Sequence, residues 1–309
     1  MRKYKVLLRL IGKRIEALPL KKRIIFEKIL NFVFLRRTLS YRKKFRELNS
    51  EDGQSVFNVD KNKGYQYFTI PDEITQELVI FAKKTLSNYQ ITNQQAFNKK
   101  EYLQQIWNIG MTNPENNFVL NFALQSGILK SVGQYFDGFP ILHDVSIFYS
   151  PPAPVSNEKN WTGSQLFHRD GAGTRCMKLW LLCDEVNSDN GPTTLLPASI
   201  SDRKCVETRY VPGKKFETDD LLSDVLPNKI ELTGKTGSWF ATDTDRCLHY
   251  GSRTKTESSR LVMMFHYVDK NSVYYLPFIR KHYFKKYNSI SVENLNCTKT
   301  GLNAISGRI

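Results

Sequence analysis

The 309-residue sequence predicts a mainly β domain with flanking helices, a helix-supported antiparallel double sheet of the jelly-roll type, behind a basic N-terminal helical segment. Two observations predict the domain. Helical spacing of apolar residues dominates up to about residue 136, and from about residue 140 the pattern changes to short alternating runs separated by Gly, Pro, Asn and Asp. A third observation sets the N-terminus apart. Residues 1–48 hold 16 Lys/Arg against 3 Asp/Glu, so +13 of the formal net charge of +15 falls there and the remainder is nearly balanced. The expected organisation is a basic amphipathic segment over 1–48 and one domain over 49–309, with its core at about 140–268.

The opening MRKYKVLLRLIGKR is basic, but Arg9 interrupts its apolar part and no small-residue cleavage site follows, so it is not read as a signal peptide. The block Ile24 to Leu35 lies between basic clusters, with Ile25, Ile29, Phe32 and Val33 on one helical face, widened by Phe26, Leu30 and Phe34. Such a helix suits two settings. It either packs on the body with solvated basic ends or lies on an anionic membrane surface with Lys and Arg reaching to headgroups. It lacks the interleaving of aromatic and basic residues that stacks nucleic-acid bases, so nucleic acid is not an expected partner.

Residues 50–68, with Gly53 and Gly64, read as a linker. Pro71 then opens a helix carrying Ile74, Leu78, Ala82 and Leu86 at four-residue spacing, and a second helix is expected over 118–136. Strands are expected at 141–149, 175–184, 193–197, 229–233, 237–242 and 260–268, with Ile141, Val145, Ile147 and Tyr149 sharing one face of the first. No uncharged apolar run approaches the roughly 18 residues of a spanning helix. Five cysteines (Cys176, Cys183, Cys205, Cys247, Cys297) without a CxxC pair favour free thiols in a reducing compartment, the cytoplasm, with peripheral membrane contact through 1–48 as the variant location.

The stretch LFHRDGAG, residues 166–173, carries the chemistry. A kinase catalytic loop needs Asn five residues after the Asp, and that position is Arg175. A metal site fits better. Strand alternation puts His168 and Asp170 on one side of the chain and Arg169 on the other. The candidates for a third ligand are His143, His249, His266 and His282. His249 follows Asp170 by 79 residues and precedes Arg260 by 11, in strand-rich sequence. Two His and one carboxylate form the facial triad of non-haem Fe(II) oxygenases, with open positions for a bidentate 2-oxo acid and dioxygen. An arginine near the third ligand suits the far carboxylate of that acid. His143 reads as a hydrogen-bonded core histidine, His266 as structural though it shares strand parity with Arg260, and His282 as a surface residue. Arg253 is second choice to Arg260.

The stretch FHRDGAGTRCMKLWLLCDEVNSDNGPTTLLPASIS, followed by His249 and Arg260, resembles the core of the phytanoyl-CoA dioxygenase family of Fe(II)/2-oxoglutarate-dependent oxygenases over roughly residues 140–268. The resemblance implies a double-stranded β-helix (jelly roll, cupin-like), with His168, Asp170 and His249 as iron ligands and Arg260 on the far carboxylate of 2-oxoglutarate. It also places Trp180 beside the cosubstrate and, more weakly, Tyr149 in the same pocket. Where the family has a Gly-Ser-His turn this chain has Ala198-Ser199-Ile200, and Gly237-Ser238 replaces a Gly-Asp; neither position supplies a metal ligand, and both departures bear on the substrate side. The residues that select the substrate are expected in loops at about 93–117, 152–164 and 203–228. Asp170 matters because related halogenases lack this carboxylate; its presence favours hydroxylation. The implied reaction consumes 2-oxoglutarate and O2, releases succinate and CO2, and acts on a small molecule or a lipid-linked one. The alternative is a non-catalytic jelly-roll binding module recruited to membrane by its basic helix.

Overall fold

In the computed structural model, residues 20–33, 35–92, 100–152, 161–170, 175–211, 213–255, 257–269 and 295–305 are described. His282, Phe34 and the Gly171–Gly173 turn lie outside them. The described elements are α1 (Leu20–Val33), α2 (Leu35–Ser50), β1 (Tyr65–Phe68), α3 (Asp72–Thr92), β2 (Gln104–Asn108), α4 (Phe118–Ala123), α5 (Ser126–Phe136), β3 (Pro140–Ser150), β4 (Cys176–Leu182), β5 (Thr193–Leu195), α6 (Ala198–Glu207), β6 (Ile230–Leu232), β7 (Trp239–Thr242), β8 (His249–Tyr250), β9 (Arg260–Asp269) and α7 (Lys299–Ile305).

The strands form a large sheet in the order β1-β7-β4-β9-β3-β2 and a small one in the order β6-β5-β8. His168 bridges His249, which extends the small sheet by one more chain beyond β8. The pairing is nested: β3 with β9, His168 with β8, β4 with β7, β5 with β6. First pairs with last and each inner pair follows in turn, while the chain passes between the two sheets. That is the winding of a jelly roll.

Both faces of the large sheet are covered. Its outer face presents Leu261, Met263, Phe265 and Tyr267 of β9 with Met177, Leu179 and Leu181 of β4 to one continuous core. The helical side of that core supplies Leu78 and Ala82 of α3, Leu120 and Phe122 of α4, and Ile128, Leu129 and Val132 of α5. The expected α3 face is the buried one, and Asp72 and Glu73 sit in the helix's first turn, where they complement the dipole. Phe122, Phe265 and Trp239 pack together there in tilted and edge-on contacts, and Trp239 Nε1 donates to Thr75 Oγ1 at 3.0 Å. The inner face looks toward the small sheet and holds the site.

Four expectations change. Residues 65–68, read as linker, form edge strand β1 against β7, and residues 104–108, read as loop, form edge strand β2 against β3. The single helix expected over 118–136 is two, divided at Leu124–Gln125, with Leu124 N–H capping to Leu120 O. The turn expected at Ala198–Ile200 is the first turn of α6. All five cysteines are free, as expected, and four of them are buried. No helix among the described residues is long and apolar enough to cross a membrane.

Candidate metal centre

His168 and His249 are directly opposed across a two-chain ladder. His168 N–H donates to His249 O at 3.0 Å and His249 N–H to His168 O at 2.9 Å. Opposed residues in such a pair project side chains to the same face, and the two imidazole rings lie 4.4 Å apart. Asp170 is two residues beyond His168, so alternation returns it to that face, and its own N–H is held by Thr244 O at 3.0 Å. Its Oδ1 lies 3.7 Å from His168 Nε2 and its Oδ2 lies 3.8 Å from His249 Nε2. The three candidate ligand atoms all fall within 4.8 Å of one another, close enough for one ion.

The imidazoles are preset as donors. His168 Nδ1 is hydrogen-bonded to Leu166 O at 2.8 Å and His249 Nδ1 to Cys247 O at 3.0 Å. A ring that gives its Nδ1 proton to a carbonyl keeps a lone pair on Nε2, the atom that faces Asp170. Burial keeps both rings neutral: it lowers His168, and together with the neighbouring His168 it brings His249 down to about 3. Burial, the largest single influence, would raise the Asp170 carboxyl, but the Lys178 ammonium at 2.5 Å together with the adjoining His249 and His168 holds that carboxyl well below the usual range. Two neutral nitrogens and one anionic oxygen on one face suit a first-row divalent metal with positions left open.

A cavity of about 230 Å³ is lined by these three residues together with Lys178, Trp180 and Arg260. Arg260 opens β9 and is 3% exposed. Its Nη1 donates to Gly191 O at 2.7 Å and its Nη2 to Ser252 Oγ at 2.9 Å, while its Nε has no partner. No carboxylate among the described residues pairs with it, and burial pushes it down to about 10, still a cation at neutral pH. Gly191 explains the Asn-Gly-Pro stretch. Its φ is +66°, and a Cβ there would meet the Arg253–Thr254 backbone at 2.6–2.7 Å, so only glycine brings that carbonyl under the guanidinium.

Trp180 donates Nε1 to Thr242 Oγ1 at 2.9 Å and stacks on Phe240 within the cavity wall. Tyr149 is a correction: it packs, half-buried, against the core beneath the helices, and its neighbour Phe148 lines the cavity instead. Arg253 is committed elsewhere. Its Nη1 and Nη2 grip Asp219 at 2.6 and 2.9 Å, its Nε donates to Gln165 O at 2.7 Å, and it lies 3.6 Å over the Tyr250 ring. His266 does share the inner face with Arg260, but its ring pairs with His143 at 4.8 Å and not with the triad. Lys178 escaped the sequence reading, although its two-residue spacing from Trp180 on β4 marks it as facing the same way.

No protein-family model and no curated protein matches the sequence. Among solved structures the chain is similar to EctD from S. alaskensis with 2-oxoglutarate and 5-hydroxyectoine, at 15% identity and TM-score 0.49, over 71% of this chain and 79% of that one. It is similar to AviO1 from Streptomyces viridochromogenes Tue57, at 13% identity and TM-score 0.48, over 69% of this chain and 92% of that one. A third is the non-heme alpha ketoglutarate dependent carbocyclase SnoK from nogalamycin biosynthesis, at 14% identity and TM-score 0.47, over 71% of this chain and 87% of that one.

Proposed function

We propose that this chain is an Fe(II)- and 2-oxoglutarate-dependent oxygenase of the phytanoyl-CoA dioxygenase type that hydroxylates a small molecule. One observation carries the reading: the His168–Asp170–His249 cluster and a buried arginine that lacks a carboxylate partner line the same cavity. His168 and His249 offer Nε2 to the iron, and Asp170 offers one carboxylate oxygen. When bound, iron with 2-oxoglutarate and dioxygen supplies the oxidising chemistry, with succinate and CO2 released. Arg260 takes the far carboxylate of 2-oxoglutarate, where the planar guanidinium pairs with both oxygens. Ser252 and Gly191 hold that guanidinium in place. Trp180, Phe148, Val262 and Met264 supply apolar wall that excludes water. Lys178 fixes Asp170 from the side.

Anaerobic titration of Fe(II) and 2-oxoglutarate into the protein tests this. A weak visible charge-transfer band is expected, lost in His249→Ala, followed by oxygen-dependent succinate release. Absence of the band, or its persistence in Asp170→Ala and His249→Ala, overturns the reading.

A second observation favours contact between the N-terminal segment and an anionic membrane surface. Ile25, Ile29, Phe32 and Val33 of α1 are 54–78% exposed and recur at helical spacing along one face, with Lys22 and Lys28 exposed on the same helix. α2, in contrast, spends its apolar face on the body through Tyr41, Phe45 and Leu48. The basic segment complements anionic headgroups. Full-length protein should float with phosphatidylglycerol-containing vesicles at low salt and not with neutral ones, and Ile29→Ser/Phe32→Ser should abolish flotation. Equal recovery with both vesicles, or with neither, removes this reading and leaves the oxygenase reading intact.

A further inference from the structure

We infer that Asp202, on α6, is a positioning residue that locks the two ligand-bearing segments of the metal centre to each other. The inference rests on the reading of His168, Asp170 and His249 as metal ligands. Those ligands come from two distant stretches, 168–170 and the turn that leads into His249. Each stretch carries one arginine, and a single carboxylate meets both. Asp202 Oδ1 accepts from Arg169 Nη2 at 2.7 Å, and Asp202 Oδ2 accepts from Arg246 Nη2 at 2.6 Å and Nε at 3.2 Å.

Arg169 sits between His168 and Asp170, and alternation points it away from the ion, toward α6. It is completely buried, its Nε and Nη1 have no partner, and among the described residues the one charged group against its guanidinium is the Asp202 carboxylate at Nη2. Its position is therefore tied to Asp202. The residues beside Asp202 repeat the pattern. Ser201 Oγ accepts from Leu248 N–H at 2.9 Å, one residue before His249. Tyr210, just beyond α6, accepts from Arg169 N–H through its hydroxyl at 2.8 Å. Within the turn, Asp243 Oδ1 accepts from the N–H groups of Asp245 and Arg246, which fixes where Arg246 leaves the backbone. α6 thus grips one segment between its two ligands and the other immediately before its ligand. Partners outside the coordination sphere that orient ligands commonly change metal affinity about 10- to 100-fold.

The experiment is Co(II) titration of metal-free full-length protein, read by visible absorption well below each variant's melting temperature, with melting curves taken with and without Co(II). Asp202→Asn should weaken Co(II) binding about tenfold or more and shrink the rise in Tm that Co(II) produces. Arg246→Gln, which leaves Arg169 paired, should shift both readouts the same way by less. Variants that melt earlier yet bind Co(II) like the wild type would show α6 to be structural only and overturn the inference. Should Asp202→Asn not fold, Arg246→Gln decides: an unchanged Kd overturns the inference and a weakened one upholds it. Wild-type protein that ignores Co(II), or His249→Ala that binds it unchanged, removes the metal reading itself and this inference with it.

Discussion

Lys178 Nζ stands 2.5 Å from Asp170 Oδ2, so the carboxylate that faces both histidines already has a buried cation against it. The ammonium has two opposite effects on an incoming metal. It orients the carboxylate, an effect worth about 1.5–3 kcal/mol for a charged hydrogen bond. It also repels a dication, and at roughly 5 Å with an effective dielectric constant of about 20 that repulsion is about 7 kcal/mol. Repulsion wins. Lys178→Met should therefore tighten Mn(II) or Co(II) binding to the metal-free protein by at least about tenfold, measured by titration calorimetry. Weaker binding in Lys178→Met would show that orientation is the larger effect.

Arg260 shows the reverse balance between stability and function. Bringing its guanidinium from 12.5 down to about 10 by burial corresponds to about 3 kcal/mol held against the fold. Two hydrogen bonds, to Gly191 O and Ser252 Oγ, offset part of that cost. Arg260→Met should melt no lower than the wild type in the absence of ligands, while its affinity for 2-oxoglutarate falls at least about 100-fold. Arg253→Gln should do the opposite, lowering Tm through the loss of its Asp219 pair and leaving 2-oxoglutarate affinity nearly unchanged. If both variants lost the cosubstrate equally, the assignment of the anion site to Arg260 would fail.

His168 and Asp170 were legible as a pair because strand alternation acts on adjacent residues, whereas His249, 79 residues further on, was picked from four histidines by its spacing and by the resemblance. Tyr149 was placed in the pocket by the resemblance alone, which does not fix the face of β3 it occupies. Alternation separates two faces of β3, and Tyr149 falls on the same face as Val145 and Ile147, but the pattern does not say which face meets the other sheet. Here both faces are covered, the outer by helices, so an apolar face need not be the cavity face. β1 (YQYF) is a four-residue edge strand within a stretch of Gly, Asn and Asp, β2 (QQIWN) is a five-residue edge strand with three polar residues, and β8 has two residues, below the length at which alternation is visible. α6 buries Ala198, Ser201 and Cys205, a helical face of small residues that carries almost no hydrophobic signal. The Arg169–Asp202–Arg246 arrangement depends on that helix, so it was illegible as well.

Gly191 links the turn chemistry to the Arg260 guanidinium. Gly191→Ala combines a φ of +66° with a Cβ within 2.6–2.7 Å of backbone atoms of Arg253 and Thr254, and backbone cannot swing aside as a side-chain tip can. A cost of roughly 2–4 kcal/mol is expected from strain and overpacking together. The shift should also withdraw the carbonyl that holds Arg260. The expected outcome is a lowered urea midpoint together with weakened 2-oxoglutarate binding in the surviving folded fraction. A variant that lost stability alone would show that the cradle tolerates displacement.

The stability of the metal-free protein should fall between pH 7 and pH 5, and the sign follows from three buried groups. His249 is depressed from 6.5 to about 3, and His168 is also lowered. In this window the unfolded chain takes up protons that the folded rings refuse, so their stabilisation is present above pH 6.5 and is lost as pH falls toward 3. His249 alone accounts for roughly 2 kcal/mol between pH 7 and pH 5. Asp243 opposes this. Burial, only partly countered by the Tyr135 hydroxyl that donates to it at 2.7 Å, raises its carboxyl to about 6, so the folded state gains a proton there as pH falls. That returns roughly 1 kcal/mol over the same range. Asp170, held below 3.8, adds its own loss only under about pH 4. Urea midpoints should therefore drop from pH 7 to pH 5, more steeply in Asp243→Asn and less steeply in His249→Gln. Midpoints that rose on acidification would mean that the imidazoles are protonated in the fold and the site is not preset for a metal.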